Sequence, residues 1–247
     1  MHTAAGIEYL AVPPAGDPAT APVVIAWHLL SPPSTPRSFA DAVPLAGLDA
    51  WRIYPALPLP EGDVRQLGYA DAVRNLQYPI PHAAALAFPA MLDELRERLG
   101  FGDVPVGLVG GSAGAAAMLS ALVGGADVAA AVAISPVVQL KAATDATGRV
   151  FGVEYPWDAE TLAMAAELDF VARAAEITAP LRLIVGDQDD AEGFRRPAEA
   201  LHAALPGSDL VIVEGMGHAL ADAQLVPVPH AAQVDALAVD WLRTHLT

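Results

Sequence analysis

A strand that turns sharply into a helix at a serine is the feature that most constrains this sequence. Residues 106–117 read VGLVGGSAGAAA, an apolar run followed by a serine turn and small helix-forming residues. Gly110 and Gly114 flank Ser112, and residues without a Cβ let strand and helix approach each other at so tight a turn. Such a turn lifts the serine oxygen over the end of a sheet, beside helix N-terminal amides that favour negative charge. Ser112 is therefore a candidate nucleophile.

Apolar runs of strand length alternate with segments of helical periodicity along the chain, and several of these runs are typical of strands buried on both faces. Strands are predicted at residues 6–12 (an edge strand), 23–27, 51–55, 105–109, 128–134, 181–185 and 209–213. Helices are predicted at residues 37–46, 82–99, 113–123, 158–177, 197–206 and 230–246. This alternation predicts an α/β protein with a mostly parallel, doubly wound sheet of about six to eight strands flanked by helices. We expect residues 1–247 to form one domain with a short insertion at 137–179, irregular over 141–157, and no large cap domain.

Charge and cysteine content exclude several functions. The formal net charge is −16, and an acidic surface repels nucleic acid and anionic membranes. The sequence has no cysteine, which excludes disulfides, thiolate catalysis and cysteine-based zinc sites. No apolar run is long enough to insert in a membrane, and the first residues lack a signal-peptide pattern, which favours a cytoplasmic protein.

We expect neither a metal nor a cofactor. The glycines around Ser112 lack the G-x-G-x-x-G spacing and the lysine of nucleotide-binding loops. Several histidines have no acid or histidine partner at metal-ligand spacing. They are His2, His82, His202, His230 and His245.

Four polar segments follow predicted strands at the points where those strands end. They are residues 28–30, Ser112, residues 187–190 and His218. The carboxyl ends of parallel strands share one edge of the sheet, where the sites of α/β proteins form. A serine becomes a strong nucleophile when a histidine takes its proton, and an acid must orient that histidine. The chain order of serine, acid and histidine therefore predicts a catalytic triad.

These motifs resemble those of the α/β-hydrolase family, in the serine esterase-like branch of small dienelactone hydrolases and carboxylesterases. The matching pieces are GGSAG at 110–114, GDQD at 186–189 and GMGH at 215–218, and the resemblance covers residues 20–247. The resemblance implies the α/β-hydrolase fold, with Ser112 as nucleophile and His218 as base. The sequence departs from the family at Leu29, where many members have a glycine.

The same resemblance implies the remaining site residues. Asp189 matches the family spacing from Gly186 and is the predicted triad acid, with Asp187 and Asp190 as alternatives. The oxyanion hole is predicted at the amides of Ala113 and Leu30. Leu29 is the alternative to Leu30, and His28 is expected to support the loop rather than to act in catalysis.

The function predicted from these residues is hydrolysis of a small carboxylic ester through an acyl-enzyme on Ser112. Leu29, Leu30, Tyr155 and Trp157 are expected to line an apolar part of the site. The same triad serves thioesterases, lactonases, peptidases and cofactor-free perhydrolases, and a non-catalytic binding protein is the alternative outside enzymes. The sequence does not choose among the acyl substrates, and it leaves the oligomeric state open.

Overall fold

One eight-stranded sheet organises the computed structural model, which describes residues 2–59 and 68–246. Its strands are β1 His2–Ala4, β2 Ile7–Val12, β3 Val23–Trp27, β4 Trp51–Pro55, β5 Val106–Gly111, β6 Ala130–Ile134, β7 Leu181–Gly186 and β8 Asp209–Val213. Their order across the sheet is β1-β2-β4-β3-β5-β6-β7-β8. The β1–β2 and β2–β4 pairs are antiparallel, and every other neighbouring pair is parallel. The predicted mostly parallel α/β sheet is confirmed.

Helices cover both faces of this sheet. They are α1 Pro36–Ala42, α2 Pro79–Leu99, α3 Ala113–Val123, α4 Leu140–Phe151, α5 Ala159–Glu167, α6 Arg196–Ala204 and α7 Pro229–His245. Side chains from α1 and α7 pack on one face, and side chains from α2, α3 and α6 pack on the other. Successive strand residues point to opposite faces of the sheet. Val24 therefore packs on the face covered by α1 and α7, and Ile25 packs on the face covered by α2, α3 and α6. This two-faced burial explains why the central strands are apolar throughout.

Four predicted elements differ from the structure. The helix predicted at 158–177 ends as α5 at Glu167, because the chain leaves the helix at Leu168 to pair with the segment before α4, and a short 3₁₀ turn, Ala174–Glu176, follows. The segment predicted as irregular at 141–157 contains α4, whose buried residues Leu140, Ala143 and Thr144 lie at helical spacing although its sequence is rich in weak helix formers. Helix α2 begins at Pro79 rather than near His82, because prolines are tolerated in a first turn, whose amides have no intrahelical acceptor.

The fourth difference concerns the N-terminal strand. Residues 6–12 were predicted to form an edge strand, but β1 pairs outside β2 and takes the edge position. The hairpin is closed by Ala5 and Gly6, both with positive φ. Because alanine is not a residue typical of such turns, the sequence pattern did not predict a hairpin here.

Candidate active site

The sheet order brings three polar strand ends side by side. Ser112 follows β5, Asp189 lies just after β7, and His218 lies in the loop after β8. Strands β5, β6, β7 and β8 are consecutive and parallel, so their carboxyl ends lie along one edge. The fold therefore places the three predicted residues within reach of one another.

Ser112 sits in a strained turn between β5 and α3. Its backbone angles are φ 48° and ψ −111°, a conformation that is uncommon for a residue with a Cβ. A Cβ on Gly110 would overlap the Gly114 carbonyl, and one on Gly114 would overlap the carbonyl oxygens of Trp27 and His28. The two glycines of the motif are thus required by close backbone approach, and they allow the turn that projects the serine.

The His218 imidazole bridges the serine and the acid. Its Nε2 lies 2.9 Å from Ser112 Oγ, and its Nδ1 lies 2.8 Å from Asp189 Oδ2. A carboxylate accepts hydrogen bonds only, so Nδ1 carries the ring proton and Nε2 is free to accept from the serine hydroxyl. Asp189 is buried, at 7% exposure, whereas the His218 side chain remains 24% exposed. This is the geometry in which a histidine can deprotonate a serine.

The two other candidate acids have different partners. Asp187 Oδ1 accepts the Gly215 amide at 2.7 Å and so ties the β7 loop to the loop that carries His218. Asp190 Oδ1 accepts the Gly193 amide at 2.7 Å and pairs with Arg149 at 2.8 Å. The Arg149 guanidinium and the Gly193 amide hold the pKa of Asp190 below its usual value despite its partial burial. Of the three carboxylates, Asp189 is the one that contacts His218.

The amides predicted for the oxyanion hole lie at the N-terminus of α3 and in the loop after β3. Ala113 is the first residue of α3, so its N–H is one of the helix N-terminal donors that have no acceptor within the helix. The Leu29 amide donates to the Pro33 carbonyl at 3.3 Å, whereas the Leu30 amide has no acceptor among the residues that the structure describes. These hydrogen bonds favour Leu30 over Leu29 as the second donor.

The Leu29 departure from the family pattern has a packing explanation. Leu29 is fully buried and its φ is not positive, so the backbone there does not require a glycine. Its side chain lies against Gly111, where any Cβ would overlap the leucine methyl group. Leu29 therefore belongs to the core beneath the turn and does not line the site, contrary to its predicted role there.

His28 supports the loop after β3. Its Nε2 accepts the Leu57 amide at 3.1 Å, which leaves the proton on Nδ1, and Nδ1 donates to the Leu29 carbonyl at 2.6 Å. Burial lowers the pKa of His28 to about 4, so the ring is neutral near pH 7. This residue links the loop after β3 to the segment after β4.

The aromatic ring next to His218 belongs to Phe194, a residue that the sequence pattern did not indicate. The Phe194 ring packs against the His218 imidazole with centroids 4.2 Å apart. Tyr155 and Trp157, predicted to line the site, pack on each other at 4.6 Å and line a cavity that includes no triad residue, and the Trp157 indole donates to Asp145. The feature of the sequence that could have indicated Phe194 is its aromatic side chain five positions after the acid.

Other features of the described residues do not extend the site. A cavity of about 830 Å³ lies between α2 and α3, and its lining includes no triad residue. Within residues 2–59 and 68–246, no group of three or more metal-ligating side chains is placed to hold an ion. Over the same ranges, no helix has the length and apolarity needed to cross a membrane.

Comparisons with known proteins show similarity in structure only. No family model and no curated protein matches the sequence. TT1662 from Thermus thermophilus superposes with a TM-score of 0.70 at 19% identity, over 99% of this chain and 96% of that one. Carboxyl esterase 2 from Tuber melanosporum has a TM-score of 0.63 at 16% identity, over 98% of this chain and 83% of that one.

A third similar structure is that of a protein described as an α/β hydrolase. MGS-MChE2, an α/β hydrolase enzyme from a lagoon-sediment metagenome of Mar Chica, Morocco, has a TM-score of 0.57 at 20% identity. The match covers 96% of this chain and 95% of that one. Sequence identities this low establish the architecture alone, and the protein has the α/β-hydrolase fold.

Proposed function

We propose that this protein is a serine hydrolase that cleaves small carboxylic esters through an acyl-enzyme on Ser112. The observation that carries the proposal is the position of His218, which joins Ser112 Oγ to the buried Asp189 carboxylate through its two ring nitrogens. In this arrangement Asp189 can hold the ring proton on Nδ1, so that Nε2 can accept the proton of the serine hydroxyl. The likeness in fold to carboxyl esterase 2 from Tuber melanosporum supports the same reaction class.

The first half of the reaction forms the acyl-enzyme. Ser112 Oγ attacks the ester carbonyl carbon while its proton moves to His218 Nε2, and the carbonyl π electrons move to the oxygen. The Ala113 and Leu30 amides donate to that oxyanion, and Asp189 stabilises the imidazolium. The tetrahedral intermediate then collapses as the C–O bond to the leaving alcohol breaks and Nε2 returns the proton to the alcohol oxygen.

The second half releases the acid. His218 takes a proton from water, the resulting hydroxide attacks the acyl carbon, and a second tetrahedral intermediate forms. Its collapse breaks the bond to Ser112 Oγ, which recovers its proton from Nε2. The enzyme returns to its starting state, and the net reaction consumes one water per ester.

Covalent labelling with a fluorophosphonate tests the nucleophile. Attack by Ser112 Oγ on phosphorus displaces fluoride, so wild-type protein should gain one phosphonate, detectable by intact mass. Ser112→Ala should gain none. Ser135 is a matched control, because it also follows a strand end with positive φ and is buried, but its Oγ contacts no polar partner among the described residues. Ser135→Ala should label like the wild type, and equal labelling of Ser112→Ala would refute the proposal.

A substrate panel then tests the ester assignment. Short-chain esters, a thioester, a lactone and a peptide anilide are compared by kcat/KM at one enzyme concentration, with Ser112→Ala as the blank. We expect the highest values for short esters. Preferential turnover of another acyl class reassigns the substrate, and ligand binding without turnover identifies a binding protein.

A further inference from the structure

The Phe194 ring packs against the catalytic imidazole proposed above. The ring centroids are 4.2 Å apart and the planes are inclined by 45°. The N–H and the lone pair of a neutral imidazole point outward in the ring plane, so the hydrogen bonds to Asp189 and Ser112 restrain the edges of the ring. The packing of Phe194 adds a van der Waals restraint to those two hydrogen bonds.

The segment that carries His218 contains two glycines, and the Gly215 amide, which donates to Asp187, holds it to the β7 loop. It runs through Gly215, in a left-handed conformation with φ 74°, and Gly217, beside which a Cβ would meet no atom within 4 Å. Loops containing glycine have more conformations available than regular elements. The orientation of the imidazole therefore depends on the contacts of its own ring as well as on this backbone contact.

Phe194 lies on a wide π-helical turn, Ala191–Arg195, between the acid and α6. The Phe194 and Arg195 amides both donate to the Asp190 carbonyl, at 3.0 and 3.3 Å. Such turns widen the helix by one residue and occur frequently at functional sites. Here the wide turn carries an aromatic ring that contacts the histidine.

The insertion between β6 and β7 anchors this turn. Arg149 at the end of α4 pairs with Asp190, whose carboxylate also caps the turn through the Gly193 amide. A Cβ on Gly193 would overlap Ala146 of α4, so helix and turn are in direct contact. Phe194 is thus built on a supported element and not on a free loop.

We propose that Phe194 is a positioning residue that holds the His218 imidazole in line with Ser112 and Asp189 during both proton transfers. The inference rests on the proposed serine-hydrolase function. Proton transfer depends steeply on alignment, and a displacement of about 1 Å can lower the rate about 100-fold. The dependence is greatest when the leaving group is an alkoxide, which must be protonated by the imidazolium as it departs.

The variants for the test are Phe194→Ala, Phe194→Leu, Phe194→Tyr and the control Phe151→Ala. Phe151 is 69% exposed, so its truncation reports the effect of losing a phenylalanine elsewhere. We expect Phe194→Ala to lower kcat for alkyl esters about 10-fold or more with KM changed less than about twofold. Nitrophenyl esters should lose less, because nitrophenolate leaves without protonation. Phe194→Leu should lie between, and Phe194→Tyr and Phe151→Ala should match the wild type.

Active-site titration with the fluorophosphonate distinguishes misfolding of the protein from misalignment of the imidazole, because turnover is then expressed per reactive serine. If Phe194→Ala does not fold, Phe194→Leu, which preserves apolar volume, takes its place. Equal kcat per reactive site in wild type and Phe194→Ala, or equal losses on alkyl and nitrophenyl esters, would overturn the positioning role while leaving the hydrolase proposal intact.

A spectroscopic measurement separates the two proposals further. The proton NMR signal of His218 Nδ1–H, hydrogen-bonded to Asp189, is observable without turnover. We expect this signal to broaden or vanish in Phe194→Ala and to persist in Phe194→Tyr. An inactive and unlabelled wild type refutes the hydrolase function, whereas an unchanged Nδ1 signal in Phe194→Ala refutes the positioning role.

Discussion

Asp190 holds the carboxylate of Asp189 in the orientation that faces His218. The Asp190 amide donates to Asp189 Oδ1 at 2.8 Å, and the other oxygen, Oδ2, lies 2.8 Å from His218 Nδ1. Each carboxylate oxygen therefore faces a donor. Because the group is buried, exchanging either hydrogen bond for one to water requires the loop to open. Asp190, the residue after the acid in the sequence, therefore helps to keep the ring proton of His218 on Nδ1.

This arrangement makes Asp189→Asn a sharp test of the acid. The Asp190 N–H needs an acceptor, so the carbonyl oxygen of the substituted amide should face it and the NH2 group should face His218. Nδ1 then becomes an acceptor and the proton moves to Nε2, which can no longer deprotonate Ser112. We expect kcat to fall on the order of 10³–10⁴-fold with the fold retained, measured by ester turnover and circular dichroism.

The neighbouring acids are the matched controls. In Asp187→Asn and Asp190→Asn, the side-chain oxygen can still accept the Gly215 or Gly193 amide. We expect kcat/KM within about threefold of the wild type for both, because exposed or partly exposed polar changes that keep a hydrogen bond cost little. A loss in Asp190→Asn as large as in Asp189→Asn would show that the acid is misassigned.

Much of the fold could be predicted because its signals are local. The central strands are apolar throughout, and a glycine-flanked serine between strand and helix leaves few alternatives to a sharp turn. Ser112, Asp189 and His218 lie together because parallel strands share a carboxyl edge. Their chemical roles remain predictions that the experiments above test.

Features that depend on tertiary contacts could not be predicted from the sequence pattern. Helix α4 has a weak helical sequence and is stabilised by packing against the wide turn after the acid. The contact of Phe194 with His218 depends on one extra residue in that turn, which no periodicity reveals. The choice of Leu30 over Leu29 rests on a single hydrogen bond, from Leu29 to Pro33.

The packing of Leu29 against Gly111 is testable by a double-mutant cycle. Leu29→Ala should lower the free energy of unfolding by about 2–5 kcal/mol, because it leaves a cavity in the core. Gly111→Ala should cost about 1–3 kcal/mol, because its Cβ would overlap the leucine side chain. In the double variant the alanine Cβ enters space vacated by the leucine. We expect urea denaturation to show a coupling of at least about 1 kcal/mol, whereas additive losses would contradict this contact.

Gly114→Ala tests the close approach of α3 to the end of β3. The added Cβ would overlap two backbone carbonyl oxygens, those of Trp27 and His28, which cannot rotate away as a side chain can. We expect a loss of more than about 3 kcal/mol in urea denaturation, together with loss of labelling at Ser112. Gly102→Ala is the control, since its Cβ would lie 3.7 Å from the nearest atom. A Gly114→Ala protein as stable as this control would refute the role of the glycine.

His28 should make the stability of the protein depend on pH. Its pKa is about 4 in the folded state, against 6.5 for a free histidine, so only the unfolded chain binds a proton between those values. The free energy of unfolding should therefore fall as pH decreases from 6.5 to 4, with a contribution from His28 on the order of 3 kcal/mol. In His28→Gln, urea denaturation at pH 7 should show lower stability, but the further loss toward pH 4 should be smaller than in the wild type. The same substitution at the exposed His202 is the control. Parallel pH profiles for wild type and His28→Gln would show that His28 is not buried in its neutral form.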